Sequence, residues 1–306
     1  MKKISALITA SGGIGSHYVL HRMHGHPNIV SLNELSFRTM GGTTKGDLKR
    51  YLSNGALDLE KIYQEQLHPF KDIDHNVDWL ILNKPPLKMI NYHRTFHPDI
   101  PINYIFRNPV SFYYTWVKKW GEYGNKRYNK KISDSQVFEW FRVTFMSSLF
   151  ELAQNFDPER DNIVSFEHFF NNTDGELERI FNCLDVPVLK TEELKVMDRC
   201  NICYSEKVVK REMNIREGRE NEEVLFCHRH GPVLGPGEHN YIRKEDGSFI
   251  NKWKKKDDHL DMCKKFSSLF GGDIIEYFLQ EEYITDIDRS KFDDIMLKFL
   301  RELKRE

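Results

Sequence analysis

Long hydrophobic runs are missing from this 306-residue chain: no segment approaches the roughly 18 consecutive apolar residues that a membrane-spanning helix needs. Met1-Lys2-Lys3 imitates the basic start of a secretory signal, but the apolar stretch behind it is too short for one. An excess of one charge is missing too. Lys and Arg number 45 against 46 Asp and Glu, so no global field draws the chain to nucleic acid or to an anionic membrane, and any anion site must be local. Cysteine is scarce. The count of five is odd, Cys183 and Cys263 stand alone, and no regular disulfide framework of the kind small secreted domains use is present. Reduced thiols and a cytoplasmic location are the expectation. No internal repeat and no low-complexity tract interrupts the sequence.

What is present is enough apolar and aromatic material, 40% and 13%, to build a sizeable core. Apolar, β-rich runs recur at Ile4 to Thr9, Asn28 to Leu32, Trp79 to Leu82, Ile102 to Phe106 and Asn162 to Ser165. Helical patterns fill several of the gaps: Ser16 to Met23, Val110 to Trp120, Ser135 to Gln154, Asp174 to Leu184 with Asp174 as N-cap, and Glu192 to Arg199. After Lys256 the chain reads as helical to its end. This alternation predicts an α/β fold, a central, mainly parallel sheet flanked by helices. We expect one domain over 1–306, with polar, weakly patterned excursions at about 41–78 and 201–239 that shape or cover a site.

The first of those strands ends in glycines and runs directly into helical sequence, Thr9-Ala10-Ser11-Gly12-Gly13-Ile14-Gly15-Ser16-His17-Tyr18-Val19. Glycines let a backbone approach a ligand closely, and a helix N-terminus offers unpaired N–H groups with roughly half a positive charge. Such a turn suits a phosphate-type anion. A P-loop NTPase would need Gly-Lys-Ser/Thr after four spacer residues, and no lysine stands there. A short-chain dehydrogenase begins similarly, but it requires an Asn-Ala-Gly turn, which is absent, and a Tyr-x-x-x-Lys pair. Here the one convincing pair, Tyr114 and Lys118, comes too early. An NAD(P)-dependent dehydrogenase is the remote alternative.

Four segments, in order, resemble the sulfotransferases that use 3′-phosphoadenosine 5′-phosphosulfate (PAPS). The first is the loop followed by His26-Pro27-Asn28-Ile29 and Glu34, similar to the family's Gly-(Arg/Lys)-Ser-Gly-Thr-Thr loop, its His-Pro-(Asn/Asp) and a downstream glutamate. The second, Tyr104-Ile105-Phe106-Arg107-Asn108-Pro109 and on to Trp116, resembles its strand, Arg-(Asp/Asn)-Pro turn and helix. In that motif an arginine and a hydroxyl eight residues later hold the 3′-phosphate, which points to Arg107 and Thr115. The third, Val164-Ser165-Phe166-Glu167 with the helix that ends in Leu184-Asp185-Val186-Pro187, resembles a segment closing on Leu-Gly-(Val/Leu)-Pro, with Asp in place of Gly. The fourth, Arg243-Lys244-Glu245-Asp246-Gly247, resembles the late Arg-Lys-Gly loop whose cations also meet the 3′-phosphate.

The resemblance implies a P-loop-like nucleotide-binding fold and sulfuryl transfer from PAPS to a hydroxyl or amine, without a metal. It assigns the 5′-phosphosulfate to Gly12, Gly13, Ile14, Gly15, Ser16 and His17, the adenine to Tyr18, and further cofactor contacts to Arg107, Thr115, Phe166, Arg243 and Lys244. Two catalytic positions depart from the pattern. The loop cation aligns with Gly13, leaving Lys84 in Asn83-Lys84-Pro85-Pro86, or His17, to stabilise the leaving phosphate. The histidine that cytosolic members use as base is Pro86 here. In other members the base is a glutamate 21 residues beyond the loop cation, which is Glu34; the alternative for Glu34 is a solvated loop carboxylate. A catalytically weak or inactive PAPS-binding member of the fold is therefore the second reading.

Other features carry two readings. Cys200, Cys203, Cys227 and His230 form two pairs at spacings that tetrahedral zinc uses, with incidental thiols as the alternative. Lys252 to Lys256 is a solvated face or an electrostatic funnel. Trp116 and Trp120, four apart, read as core. The acceptor, whether small molecule, carbohydrate or peptide, is not encoded in any motif.

Overall fold

The computed structural model describes residues 3–9, 14–16, 19, 22–23, 25–32, 52–53, 56–57, 76–83, 98–117, 132–194, 226–227, 231–234, 238–239, 252–279 and 289–305. Each β-rich run becomes a strand: β1 (Lys3–Thr9), β2 (Ile29–Leu32), β3 (Trp79–Asn83), β4 (Ile102–Phe106) and β5 (Asn162–Ser165). Seven helices are described in full: α1 (Pro109–Trp116), α2 (Asp134–Asn155), α3 (Phe166–Asn171), α4 (Thr173–Cys183), α5 (His259–Phe270), α6 (Gly272–Leu279) and α7 (Arg289–Leu303). The chain divides into two compact units, one of Met1–Ile4, His17–Asn83 and Leu189–Asp246, the other of Ser5–Ser16, Lys84–Val188 and Gly247–Glu306.

In the second unit β1, β4 and β5 run parallel, with Ala6 beside Ile102 and Asn103 beside Asn162. Every residue of β4 is buried, as a strand covered on both faces requires. Its one amide side chain, Asn103, accepts a hydrogen bond from Asn162 Nδ2 at 3.0 Å, so the amides satisfy part of their need across the register. Phe106, the last residue of β4, lies 6.0 to 6.3 Å from the rings of Phe145, Phe278 and Phe292 on α2, α6 and α7. One turn into α1, Phe112 packs 5.4 Å from Phe141 and 5.5 Å from Phe145. Such aromatic pairs add about 0.5–1.5 kcal/mol each beyond their buried area. The strand before Arg107 and the helix after it are therefore fixed to one aromatic cluster. Trp116, buried, joins that cluster against Trp140 and Phe141, the core role expected of it, while Trp120 lies outside the described residues.

Local sequence sets the helix boundaries. Ser133 caps α2 in a reciprocal capping box with Gln136, which moves the start slightly ahead of the expected Ser135. Helix α4 is capped by Asn172, whose Oδ1 accepts from Gly175 N at 3.1 Å, and not by Asp174, which sits in the first turn. Asn172 wins because its side chain stands one residue outside the helix, where it can turn back on a free N–H. At the other end of α4, Asp185 N bonds Asn182 O and Val186 N bonds Phe181 O, a Schellman closure. That closure puts Asp185 at φ 53°, the position that the resembling motif gives to glycine. The helix expected from Glu192 is a turn over residues 191–194, because Glu193 folds back to accept from Lys190 N at 2.8 Å; residues 195–199 lie outside the described residues.

In the first unit β2 and β3 run parallel, Ile29 beside Trp79. The His26-Pro27-Asn28 turn pins their starts together: Asn28 O accepts from Asp78 N and Trp79 N, and Asn28 Nδ2 donates to Asp78 at 2.7 Å. Residues 19, 22 and 23 are helical, with Val19 and Met23 buried one turn apart. The excursions at 41–78 and 201–239 contain short antiparallel pairs, Leu52–Ser53 with Ala56–Leu57, and Gly231–Leu234 flanked by Phe226–Cys227 and Glu238–His239. No helix among the described residues is long and apolar enough to cross a membrane.

Candidate functional site

The site is built at the C-terminal end of β4, where open parallel sheets bind their ligands. Asn108 follows Arg107 and caps α1, its Oδ1 accepting from Val110 N at 2.9 Å and Ser111 N at 3.3 Å. Pro109 then fills the first helical position, where a missing N–H costs nothing. The sequence Arg-Asn-Pro is thus a complete strand-to-helix turn, and it sets the Arg107 side chain at the mouth of a helix N-terminus. Arg107 is only 7% exposed. Its Nη2 donates to Ser111 Oγ at 3.1 Å, and its guanidinium lies 4.9 Å over the Phe166 ring.

Phe166 opens α3 directly after β5 and is itself buried. Against that ring stands Gly15, at φ 101°. A Cβ on Gly15 would come 2.8 Å from Phe166 Cζ and nearer still to Cε2 and Cδ2, so only glycine fits. Gly15 and Arg107 therefore share one aromatic support. Ile14 and Ser16, on either side of Gly15, are buried as well, and Ser16 is the first helical residue after the loop.

The next residue, Glu167, holds the other side of the turn. It is 1% exposed, and its Oε1 accepts from Asn108 N at 3.0 Å. Burial pushes its carboxyl up to about 7, against the pull of Arg107 and of the backbone hydrogen bonds. His168 is pushed the other way, down to about 3, by burial and by Arg289 and Arg179. Its neutral ring links Ser165 Oγ at 2.6 Å to the Tyr277 hydroxyl at 2.9 Å. Arg289 pairs with the buried Glu176 at 2.5 Å and bonds Ile163 O. These groups tie α3, α4, α6 and α7 to β5 behind the site.

The structure thus brings together Ile14, Gly15, Ser16, Arg107 and Phe166 from the sequence-predicted set. Thr115 lies two turns along α1, half-buried, with its hydroxyl donating to Ser111 O at 3.1 Å. Gly12, Gly13, His17, Tyr18, Glu34, Lys84, Arg243 and Lys244 lie outside the described residues. So do Cys200, Cys203 and His230, while Cys227 is described only as strand backbone. Among the described residues no group of three or more His, Cys, Asp or Glu is placed to hold a metal. In the lysine run, Lys254 reaches Leu279 O at 3.3 Å and Lys255 and Lys256 are exposed.

Three residues of the site were not singled out by sequence. Ser111 was signalled by its spacing, one helical turn from Arg107, and Asn108 by the proline after it. Glu167 was visible only as a motif letter, because its partner is 59 residues away. The tyrosine of the dehydrogenase alternative is engaged elsewhere. Tyr114 donates to Asp258 at 2.6 Å, and burial with that carboxylate holds its phenol above the usual range, the opposite of what a proton-relaying tyrosine needs.

No family model matches the chain, and no curated protein matches it in sequence. Three solved structures that it is similar to are sulfotransferases. One is the sulfotransferase domain from the curacin biosynthetic pathway, 15% identical at TM-score 0.48, covering 87% of this chain and 97% of that one. Another is the sulfotransferase domain from the Synechococcus PCC 7002 olefin synthase, 14% identical at TM-score 0.44, covering 87% and 95%. The third is mouse sulfotransferase SULT7A1 complexed with PAP, 13% identical at TM-score 0.47, covering 92% and 89%. At such identities and scores these are likenesses only, and the functional reading rests on the residues.

Proposed function

We propose that this chain is a PAPS-dependent sulfotransferase that moves a sulfuryl group to a hydroxyl or amine acceptor and releases adenosine 3′,5′-bisphosphate. The observation that carries the reading is Arg107: a buried guanidinium at the C-terminal end of a fully buried parallel strand, stacked on Phe166, beside a capped helix N-terminus. Its donor set fits a phosphate group, since a guanidinium fork, the Ser111 hydroxyl and the end of α1 all favour negative charge. Arg243 and Lys244 would add the second cationic contribution, and the Gly12 to His17 loop would hold the 5′-phosphosulfate with Tyr18 at the adenine. The acceptor oxygen or nitrogen attacks sulfur, the bond from sulfur to the 5′-phosphate oxygen breaks, and the acceptor proton passes to Glu34. Lys84, with His17 as the alternative, would stabilise the oxygen that leaves.

Gly13 and Pro86, in two positions where the family carries catalytic side chains, favour the second reading of a protein that binds the nucleotide without rapid turnover. One experiment separates the two. Release of adenosine 3′,5′-bisphosphate from PAPS is followed with a mixed panel of phenol, sugar, amine and peptide acceptors, for the native chain and for Gly13→Arg. Turnover by the native chain, raised by Gly13→Arg, is expected of the enzyme. Nucleotide binding without release in either form identifies the binding protein, and absence of both rejects the proposal.

A further inference from the structure

The first turn of α3 does more than support the site. Its two leading residues meet the Arg107-Asn108 turn with opposite chemistry: Phe166 offers a π-face to the Arg107 guanidinium, and Glu167 offers a carboxyl that grips the next peptide through Asn108 N. A buried carboxyl used to hold backbone N–H groups is an expensive choice, since an amide oxygen would accept the hydrogen bond from Asn108 N without a charge to desolvate. The second oxygen, Glu167 Oε2, is buried with no hydrogen-bond partner. An ionised carboxylate would leave that oxygen charged and unsolvated, whereas the neutral acid leaves a far cheaper vacancy in the hydrogen bonding.

Arg107 is the charged group acting on Glu167, from the turn between β4 and α1. On the other elements against α3, Arg289 of α7 and Arg179 of α4 act on His168 instead, and each is paired with a carboxylate, Glu176 or Asp293. Tyr277 of α6 binds His168 Nε2, and His168 stays neutral throughout the physiological range. The charge state of Glu167 is therefore coupled to Arg107 alone among these groups.

Resting on the nucleotide reading above, we propose that Glu167 is a titratable positioning residue for Arg107, whose ionisation withdraws part of the Arg107 charge from a bound phosphate group and so weakens nucleotide binding. When Glu167 is neutral, it does not compete with the phosphate for the guanidinium's charge. When it ionises, the phosphate must compete with a carboxylate held in the same turn. The two states carry the same hydrogen bond to Asn108 N, so the turn keeps its shape and only the field changes. Ligand and proton are then linked reciprocally: a bound phosphate raises the affinity of Glu167 for its proton, and nucleotide binding takes up protons near neutral pH.

The test is the dissociation constant of adenosine 3′,5′-bisphosphate from pH 5.5 to 8.5, for the native chain and for Glu167→Gln, which keeps the acceptor to Asn108 N and removes the charge. The ligand's own ionisation acts on both proteins alike, so the ratio of the two constants isolates Glu167. A ratio near one at pH 5.5 that grows to about tenfold weaker binding by the native chain at pH 8.5 is expected. A ratio that stays flat, with both proteins binding, overturns the inference and leaves the nucleotide reading intact. If neither protein binds the nucleotide at any pH, the nucleotide reading fails. The coupling is then decided by the carboxyl carbon signal of Glu167 in the native chain and in Arg107→Ala. A midpoint near neutrality that rises when Arg107 is removed keeps the coupling, and a midpoint in the ordinary carboxylate range ends it.

Discussion

Replacing Gly15 by alanine tests the account of the loop at one atom. Two costs add. At φ 101° an L side chain is strained, a penalty of about 1–3 kcal/mol. The new methyl would also overlap three atoms of Phe166, the farthest of them at 2.8 Å, where ordinary contact begins near 3.4 Å. The ring cannot retreat freely, because it is buried and carries Arg107 over it at 4.9 Å. Overpacking of this kind costs about 1–3 kcal/mol. Gly15→Ala is therefore expected to lose about 2–6 kcal/mol in urea unfolding, and to weaken nucleotide binding by displacing Arg107. Phe166→Leu alone should cost about 1–2 kcal/mol, and in the double variant part of the Gly15→Ala penalty should vanish, because the overlap is relieved while the backbone strain stays. A Gly15→Ala loss below about 0.5 kcal/mol, or strict additivity with Phe166→Leu, would refute the claim that this glycine is fixed by the ring.

Two further outcomes concern stability. Asp185→Gly places the residue that tolerates φ 53° in the closure of α4, and an increase of about 1 kcal/mol in unfolding free energy is expected from chemical denaturation. No increase would mean that Asp185 is compensated locally. Glu167, folded near 7 against about 4.5 unfolded, holds its proton more tightly in the native state. It therefore contributes stability that is full below about pH 4.5 and is lost as pH rises through 7. Between pH 5 and pH 8 the native chain should lose about 2–3 kcal/mol relative to Glu167→Gln. His168, folded near 3 against 6.5, acts in the opposite sense, losing stability as pH falls below about 6.5, so only the difference between the two proteins is diagnostic. A constant difference across that range would show that Glu167 does not titrate there.

The parts of the fold legible in the sequence are those written by local pattern. Strand β4 and β5 match their expected bounds because a buried parallel strand is a short apolar run with turn residues at its ends. The N-cap of α4 and the turn at residues 191–194 depart from the sequence pattern for one reason: Asn172, Asp174 and Glu193 all suit helix starts, and only three-dimensional reach decides which N–H each side chain meets. At the site, Arg107 and Gly15 were legible because a guanidinium after a strand and a glycine before a helix each carry their chemistry in one letter. The coupling between them was not. Phe166 sits over 150 positions from Gly15 and 59 from Arg107, and no periodicity relates residues that meet only when β1, β4 and β5 lie side by side.

The most direct test of the central claim is isothermal titration of the purified chain with adenosine 3′,5′-bisphosphate, beside Arg107→Ala and with NADPH as the competing nucleotide. A phosphate site built on Arg107 should bind the bisphosphate with about micromolar strength, about tenfold to a hundredfold more weakly in Arg107→Ala, and should not bind NADPH. Binding that survives the loss of Arg107 unchanged, or binding to NADPH alone, would contradict the claim.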